Sequence, residues 1–218
     1  HLSIRRQRQM CIRDRPKNAD LVSACNYDDH VEKLKDVDLV IEAVAERLDI
    51  KHAVYNNIVS HLKESVILTS NTSGIPLEDL TKVLPDNLKK RFMITHFFNP
   101  PRYMHLLELV KGPNTDDSVY NEISQLGQDT LGKGIVHAKD TPNFIGNRIG
   151  VYGMAVTMNT AIEHGLTVEE VDKLTGTVVG RPKSATFRTA DVVGLDTMVN
   201  VSNTSYNNHK YDEDREEI

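Results

Sequence analysis

The stretch Asp38-Leu-Val-Ile-Glu-Ala-Val44 decides the fold, because it is short, apolar and rich in β-branched residues. Such a run predicts a strand that is buried on both faces of a sheet. Apolar residues at helical spacing follow from Glu46 to Leu62, and Ser65-Val-Ile-Leu-Thr69 is the next predicted strand. Further strands are predicted over residues 91–96, 106–110 and 134–138, with helices beginning at Pro76 and Ser118. This alternation predicts an α/β fold with a mostly parallel sheet.

The pattern changes after Asp140-Thr-Pro142. Residues 144–163 and 167–175 are predicted to be helices, and no convincing strand pattern follows them. The chain is therefore expected to consist of an α/β part over residues 16–139 and a helical part over residues 140–218. Residues 1–15 carry scattered arginines without apolar periodicity, and we expect a disordered or non-native tail there.

Composition excludes several classes of function. The 218 residues carry a net charge of -5 with acidic and basic residues interspersed, so no basic stripe is available for nucleic acid. No apolar run approaches the roughly 20 residues that a membrane-spanning helix needs, and no signal peptide opens the chain. Cys11 and Cys25 form neither a CxxC pair nor a zinc-spaced cluster, which predicts a cytoplasmic protein without disulfides or a metal site.

Two residues are candidates for acid–base chemistry. His96 ends a predicted strand, where parallel α/β sheets place reactive groups, and a histidine can accept an alcohol proton near neutral pH. Taken alone, a single histidine is more often structural. Glu108 lies in the apolar segment Leu106-Leu-Glu-Leu-Val110, where a buried carboxylate needs a polar partner. It could orient His96 as the acid of a dyad, or face solvent on an edge strand.

Two polar segments could also contribute to a site. Ser70-Asn-Thr-Ser-Gly74 directly follows a predicted strand. Its hydroxyl and amide groups could bind a substrate oxygen, or cap the following helix, which is the commoner role. Asn147 opens the helical part and could simply bond its own backbone.

Four motifs in order are Ser70-Asn-Thr-Ser73, His96-Phe-Phe-Asn-Pro100, Leu107-Glu-Leu-Val110 and Asp140-Thr-Pro-Asn-Phe-Ile-Gly-Asn-Arg148. Each is weak alone, but in this order they closely resemble the 3-hydroxyacyl-CoA dehydrogenase family. Residues 180–196 are similar to large bacterial fatty-acid oxidation proteins in which this dehydrogenase is fused to an enoyl-CoA hydratase. The resemblance covers about residues 20–196 and implies a Rossmann-like NAD-binding domain followed by a helical domain.

The resemblance implies roles for the catalytic and substrate-binding residues. His96 would be the general base that takes the 3-hydroxyl proton of an acyl-CoA substrate while hydride passes to NAD+, and Glu108 would hold the histidine. Ser73 and Asn147 match the serine and asparagine that polarise the substrate. A homodimer formed through the helical domain is implied as well.

The resemblance also implies a set of cofactor contacts. Glu46 and Lys51 match residues that touch the ribose and nicotinamide end of NAD, with Ser73 nearby. Asn99 matches a contact on the nicotinamide side.

The sequence departs from the family at its front. No G-x-G-x-x-G lies between a strand and a helix, although that loop brings backbone N–H groups to a dinucleotide pyrophosphate. We therefore expect a truncated sheet without its first strands, exposing an apolar edge, and a polypeptide that is inactive or nearly so. The alternatives are a 3-hydroxybutyryl-CoA dehydrogenase of fermentative metabolism and a non-catalytic binding or assembly module.

Overall fold

The computed structural model describes residues 20–208 of the chain, so the predicted tail over residues 1–15 lies outside them. Its centre is a five-stranded sheet whose spatial order follows the chain order. The strands are β1 Leu39–Glu42, β2 Ile67–Ser70, β3 Phe92–Phe97, β4 Leu106–Lys111 and β5 Gly134–Ala138. Every strand coincides closely with a segment that the sequence predicts to be a strand.

Helices connect the strands and then continue alone. The α/β part contains α1 Tyr27–His30, α2 Leu48–Ile58, α3 Leu77–Thr81, α4 Asp86–Lys89 and α5 Asp117–Gln125, with 3-10 turns at Val31–Asp36 and Val59–His61 and a π-helical turn at Leu126–Thr130. The helical part contains α6 Gly146–Glu163, α7 Val168–Leu174, a 3-10 turn at Thr177–Val179, α8 Phe187–Val193 and α9 Leu195–Asn208. The predicted division into a sheet followed by helices is thus seen within the described residues.

The sheet is mostly parallel, as predicted, with one reversal. β1, β2 and β3 run parallel, β4 runs antiparallel to β3, and β5 runs parallel to β4. The reversal follows from chain length, because residues 98–105 are too few for the crossover that a parallel pair requires. It places residues of β3 and β4 directly opposite each other.

Alternate residues of the inner strands feed two apolar clusters, one on each face of the sheet. The prediction that the strand within residues 38–44 is buried on both faces is wrong, because β1 is an edge strand in which only Glu42 is buried. On one face of the sheet, Leu68 and Ile94 pack against apolar residues of α2, α3 and α4. On the other face, Ile67 and Met93 pack against apolar residues of α5. Phe144, from the segment that precedes α6, is 2% exposed and belongs to the first cluster. The helical part is therefore joined to the core of the α/β part.

One edge of the described sheet is β1, where Ile41 is 44% exposed. Between residues 20 and 208, none of the helices combines the length and apolar character that crossing a bilayer would require.

Candidate active site

The structure brings together the predicted pair of His96 and Glu108. The two residues are opposite each other in the antiparallel register of β3 and β4, so their side chains project from the same face. Nδ1 of His96 lies 2.7 Å from Oε2 of Glu108. Because an ionised carboxylate can only accept hydrogen bonds, the proton is assigned to Nδ1, which leaves Nε2 as an acceptor.

Glu108 is fully buried, and donors contact both of its oxygens. Oε1 accepts hydrogen bonds from the backbone N–H groups of Ile145 at 2.9 Å and Gly146 at 2.7 Å, at the start of α6. Burial is the largest influence and raises the pKa of Glu108, but the hydrogen bonds from His96, Gly146 and Ile145 together hold that pKa below its ordinary value. The site therefore favours an ionised carboxylate beside the histidine.

Two aromatic rings restrict the imidazole further. The ring of Phe98 packs edge-on at 4.6 Å from that of His96, and the ring of Phe144 packs edge-on at 5.4 Å. His96 is 4% exposed as a result. Phe144 and the preceding Asn143 have φ angles of 46° and 60°, a left-handed backbone that non-glycine residues rarely adopt. Asn143 is held there by donating to the carbonyl of Val201 at 3.1 Å.

The loop after β2 lies beside the histidine. Oδ1 of Asn71 accepts a hydrogen bond at 2.8 Å from the backbone N–H of Phe97, the neighbour of His96. Ser73, two residues further on, is half-buried, and its hydroxyl makes no hydrogen bond within the described part of the chain. A polar group without a protein partner is thus placed at the same edge of the sheet as His96.

A buried ionic cluster lies beneath this loop. Nζ of Lys51, in α2, is 2.8 Å from Oε1 of Glu42 at the end of β1 and 3.3 Å from Oε2 of Glu46. The side chains of Lys51 and Glu42 are each only 1% exposed, whereas that of Glu46 is 43% exposed. The other oxygen of Glu46 accepts from the N–H groups of Ser73 at 2.8 Å and Gly74 at 3.1 Å. Glu46 therefore connects the buried lysine to the Ser73 loop.

Comparison with known proteins shows to which family the chain belongs. The family model described as "3-hydroxyacyl-CoA dehydrogenase, NAD binding domain" matches residues 3–141, and the model of the C-terminal domain of the same family matches residues 144–217. The chain belongs to the 3-hydroxyacyl-CoA dehydrogenase family. The predicted family resemblance is thereby confirmed.

Relatives within the 3-hydroxyacyl-CoA dehydrogenase family are close. A Bacillus subtilis protein named as a probable 3-hydroxyacyl-CoA dehydrogenase is 46% identical over 202 residues, which cover 93% of this chain and 25% of that protein. A Rickettsia felis protein named as a fatty acid oxidation complex trifunctional enzyme is 42% identical over 189 residues, covering 87% and 26% respectively. The chain thus spans about a quarter of the length of these two relatives.

The solved structure of the (S)-3-hydroxybutyryl-CoA dehydrogenase of Ralstonia eutropha is similar in fold. It aligns with a TM-score of 0.73 at 32% sequence identity, over 85% of this chain and 62% of that one. Both parts of the fold described above are therefore those of the 3-hydroxyacyl-CoA dehydrogenase family.

The remaining residues that the family resemblance singled out are placed as follows. Asn147 is the second residue of α6, directly after Gly146, and is half-buried without a hydrogen bond from its amide within residues 20–208. The alternative interpretation, that the side chain of Asn147 only hydrogen-bonds its own backbone, is therefore wrong. Asn99 is exposed in the loop after β3, and no hydrogen bond joins it to the other candidate residues in the described chain.

The interpretation of Ser70-Asn-Thr-Ser-Gly74 as a helix cap is also wrong. The following helix, α3, has Pro76 before it and no side-chain cap of its own. Its first N–H, from Leu77, donates instead to Oδ2 of Asp140 at 3.0 Å. The hydroxyl of Thr72 bonds within the loop and to Glu46, since it accepts from Ile75 and donates to Oε1 of Glu46 at 2.6 Å.

Sequence reasoning missed Glu42, although a signal was present. Glu42 is an acid in an apolar strand, the same feature that drew attention to Glu108. Burial is the main influence that raises the pKa of Tyr55, and the adjacent charge of Glu42 raises it further.

Within residues 20–208, no three His, Cys, Asp or Glu side chains are placed to hold a metal ion.

Proposed function

We propose that this chain carries the catalytic pair of an NAD-dependent enzyme that oxidises (S)-3-hydroxyacyl-CoA to 3-oxoacyl-CoA in fatty-acid β-oxidation. The observation that carries the proposal is the 2.7 Å contact between Nδ1 of His96 and Oε2 of Glu108. It leaves Nε2 of the histidine free to accept a proton, which is the state that alcohol oxidation requires of a general base.

The proposed division of labour follows from the contacts. Nε2 of His96 takes the proton of the 3-hydroxyl group, and the ionised Glu108 stabilises the imidazolium that forms. The unpartnered groups of Ser73 and Asn147 hydrogen-bond the substrate oxygen, whose charge changes during the reaction. In the reverse direction His96 returns the proton to the carbonyl oxygen of the 3-oxoacyl group.

The described residues fit the nicotinamide end of NAD, which accepts the hydride that leaves C3 of the substrate. Glu46 keeps an exposed carboxylate at the edge of the sheet, where it can accept hydrogen bonds from ribose hydroxyls. Lys51 holds this carboxylate from the buried side, 3.3 Å away. We propose that Glu46, Ser73 and Asn99 line the cofactor side of the site, and that the buried Lys51 contributes by holding Glu46 in place.

Replacing His96 tests the proposal. In the protein encoded by the complete gene, His96→Gln is expected to lower kcat for NAD-dependent oxidation by about 10²–10⁴-fold, the usual contribution of a general acid–base group. His164→Gln, an exposed histidine at the end of α6, is the matched control and should keep normal turnover. Normal turnover in the His96→Gln variant would contradict the proposed dehydrogenase mechanism.

A shorter substrate, 3-hydroxybutyryl-CoA, is the second candidate, favoured by the likeness to the (S)-3-hydroxybutyryl-CoA dehydrogenase of Ralstonia eutropha. The two candidates share the same chemistry and differ in acyl chain length. Values of kcat/KM over a series of chain lengths would separate them. The third alternative, a non-catalytic module, would gain support if His96 and Glu108 lay too far apart to bond, and the 2.7 Å contact between them gives it none.

We also propose that the helical part pairs with a second copy of the chain in the cytoplasm. Exposed apolar side chains support pairing, with Ile149 68%, Ile162 79% and Val192 73% exposed. The cytoplasmic location rests on the sequence argument from cysteine usage. Light scattering on the purified protein would give a dimer mass if pairing occurs, and a monomer mass at micromolar concentration would contradict it.

A further inference from the structure

We propose that Glu42 is a positioning residue that fixes the Ser73 loop, in the way that Glu108 fixes His96. The inference rests on the proposed function, because it concerns how the substrate side of that site is held. Glu42 does not take part in proton transfer. It acts through two chains of hydrogen bonds that begin at its buried carboxylate and end at the loop.

The carboxylate of Glu42 is surrounded by donors. Oε1 accepts from the backbone N–H of Val44 at 2.7 Å and from Nζ of Lys51 at 2.8 Å. Oε2 accepts from the hydroxyls of Ser70 at 2.7 Å and Tyr55 at 2.9 Å. A buried carboxylate with every lone pair used holds its partners rigidly, since releasing any of them leaves a buried polar group unpaired.

The first chain of bonds runs through Ser70. While its hydroxyl donates to Glu42, the same oxygen accepts the backbone N–H of Thr72 at 3.2 Å. Thr72 is the immediate neighbour of Ser73. The backbone just before Ser73 is thus tied to β1 as well as to its own strand.

The second chain runs through Lys51. Its ammonium group lies between Glu42 and Glu46, and Glu46 then accepts the N–H groups of Ser73 and Gly74. Without Glu42, the lysine would have a single partially exposed carboxylate to neutralise it. The geometry therefore makes the position of Ser73 depend on a charge three contacts away.

The structure offers a matched pair of substitutions that separates positioning from simple stability. Ser70→Ala and Tyr55→Phe each remove one buried hydroxyl donor from the same oxygen of Glu42. Ser70 is hydrogen-bonded directly to the loop, through the backbone N–H of Thr72. Tyr55 lies in α2 and makes no direct hydrogen bond to the described residues of the loop. Both substitutions remove an oxygen and add no atom, so both variants are expected to fold.

The experiment measures kcat for NAD-dependent oxidation of 3-hydroxybutyryl-CoA in the protein encoded by the complete gene. Ser70→Ala should lower kcat about fivefold, equivalent to about 1 kcal/mol, while Tyr55→Phe should stay within about twofold, although each loses a buried hydrogen bond that lowers the melting temperature. In a Ser73→Ala background the effect of Ser70→Ala should disappear, because the two residues act through one contact.

Two results would overturn the inference. One is an equal loss of kcat in Ser70→Ala and Tyr55→Phe, and the other is a Ser70→Ala effect that persists unchanged without the Ser73 hydroxyl. Failure of the proposed function is distinguishable, because the unsubstituted protein would then show no NAD-dependent turnover on any 3-hydroxyacyl-CoA, and the inference would fall with it.

Discussion

Single residues set the protonation state of the candidate base, and Glu108 is the one that decides it. In Glu108→Gln the amide oxygen is required by the N–H groups of Ile145 and Gly146, so the amide NH₂ must face Nδ1 of His96. The histidine is then driven to carry its proton on Nε2, where it cannot accept another. We expect kcat to fall by about 10²–10⁴-fold with little change in fold.

The control for this change is Glu122→Gln, an exposed acid on α5 that should leave kcat unaffected. The proton position in the Glu108 variant can be read from the ¹⁵N chemical shifts of the His96 ring. A ring that still carries its proton on Nδ1, or a kcat within a factor of about two of normal, would contradict the argument.

The pKa of Glu108 also predicts how stability depends on pH. Folding lowers this pKa below the ordinary 4.5, so the ionised carboxylate stabilises the fold above that value and the stabilisation is lost as pH falls through the lowered pKa. Glutamine cannot titrate. The difference in unfolding free energy between the protein and Glu108→Gln should therefore shrink as the pH is lowered from neutral to below 4.5. Urea unfolding across this range measures it, and a constant difference would contradict the prediction.

The sequence signals a buried acid at both Glu108 and Glu42, but it indicates a partner for Glu108 alone. An acid in an apolar strand signals a buried polar partner, and it does so equally at both positions. For Glu108 the motif resemblance supplied the partner. For Glu42 the partners come from α2 and β2, at separations of 9, 13 and 28 residues, and no local pattern encodes such contacts.

At the scale of elements, the start of α6 is closely packed against the loop that follows β3. A Cβ atom on Gly146 would lie 2.6 Å from Cζ of Phe98 and 3.2 Å from Cδ2 of Leu106. Gly146→Ala should therefore push Phe98 away from His96 and destabilise the fold by about 1–3 kcal/mol, even though alanine favours a helix.

The same helix provides the control for this substitution. A Cβ atom on Gly150 would meet nothing within 4 Å. Gly150→Ala should then stabilise the protein by up to about 1 kcal/mol through helix propensity. Thermal unfolding compares the two variants, and shifts of the same sign would show that packing against Phe98 is unimportant.

The positions of the strands in the sequence were predicted better than their parallel or antiparallel directions in the sheet. Short apolar runs identified all five strands, although only β2, β3 and β4 are largely buried. The reversal at β4 was not predicted, although the eight residues between Phe97 and Leu106 contain the reason for it. That reversal, rather than any motif, places Glu108 directly opposite His96.

The whole molecule depends on the junction between its two parts. The junction is the segment of residues 139–145, between β5 and α6. Within it, Asn143 is 1% exposed, and its side-chain amide donates to the carbonyl of Val201 in α9. Its left-handed backbone is one that asparagine tolerates better than alanine. Asn143→Ala therefore removes the contact to α9 and strains the turn that carries Phe144.

Hydrogen exchange locates the consequence of that change. We expect the amides of α9 to exchange about tenfold faster in Asn143→Ala, because about 1.4 kcal/mol of docking is lost, while those of β2 and β3 keep their protection. Asn203→Ala removes an exposed asparagine from α9 itself and should leave exchange unchanged or slower. Equal acceleration in the sheet would mean that the two parts unfold as one unit, and unchanged exchange in α9 would mean that Asn143 does not hold it.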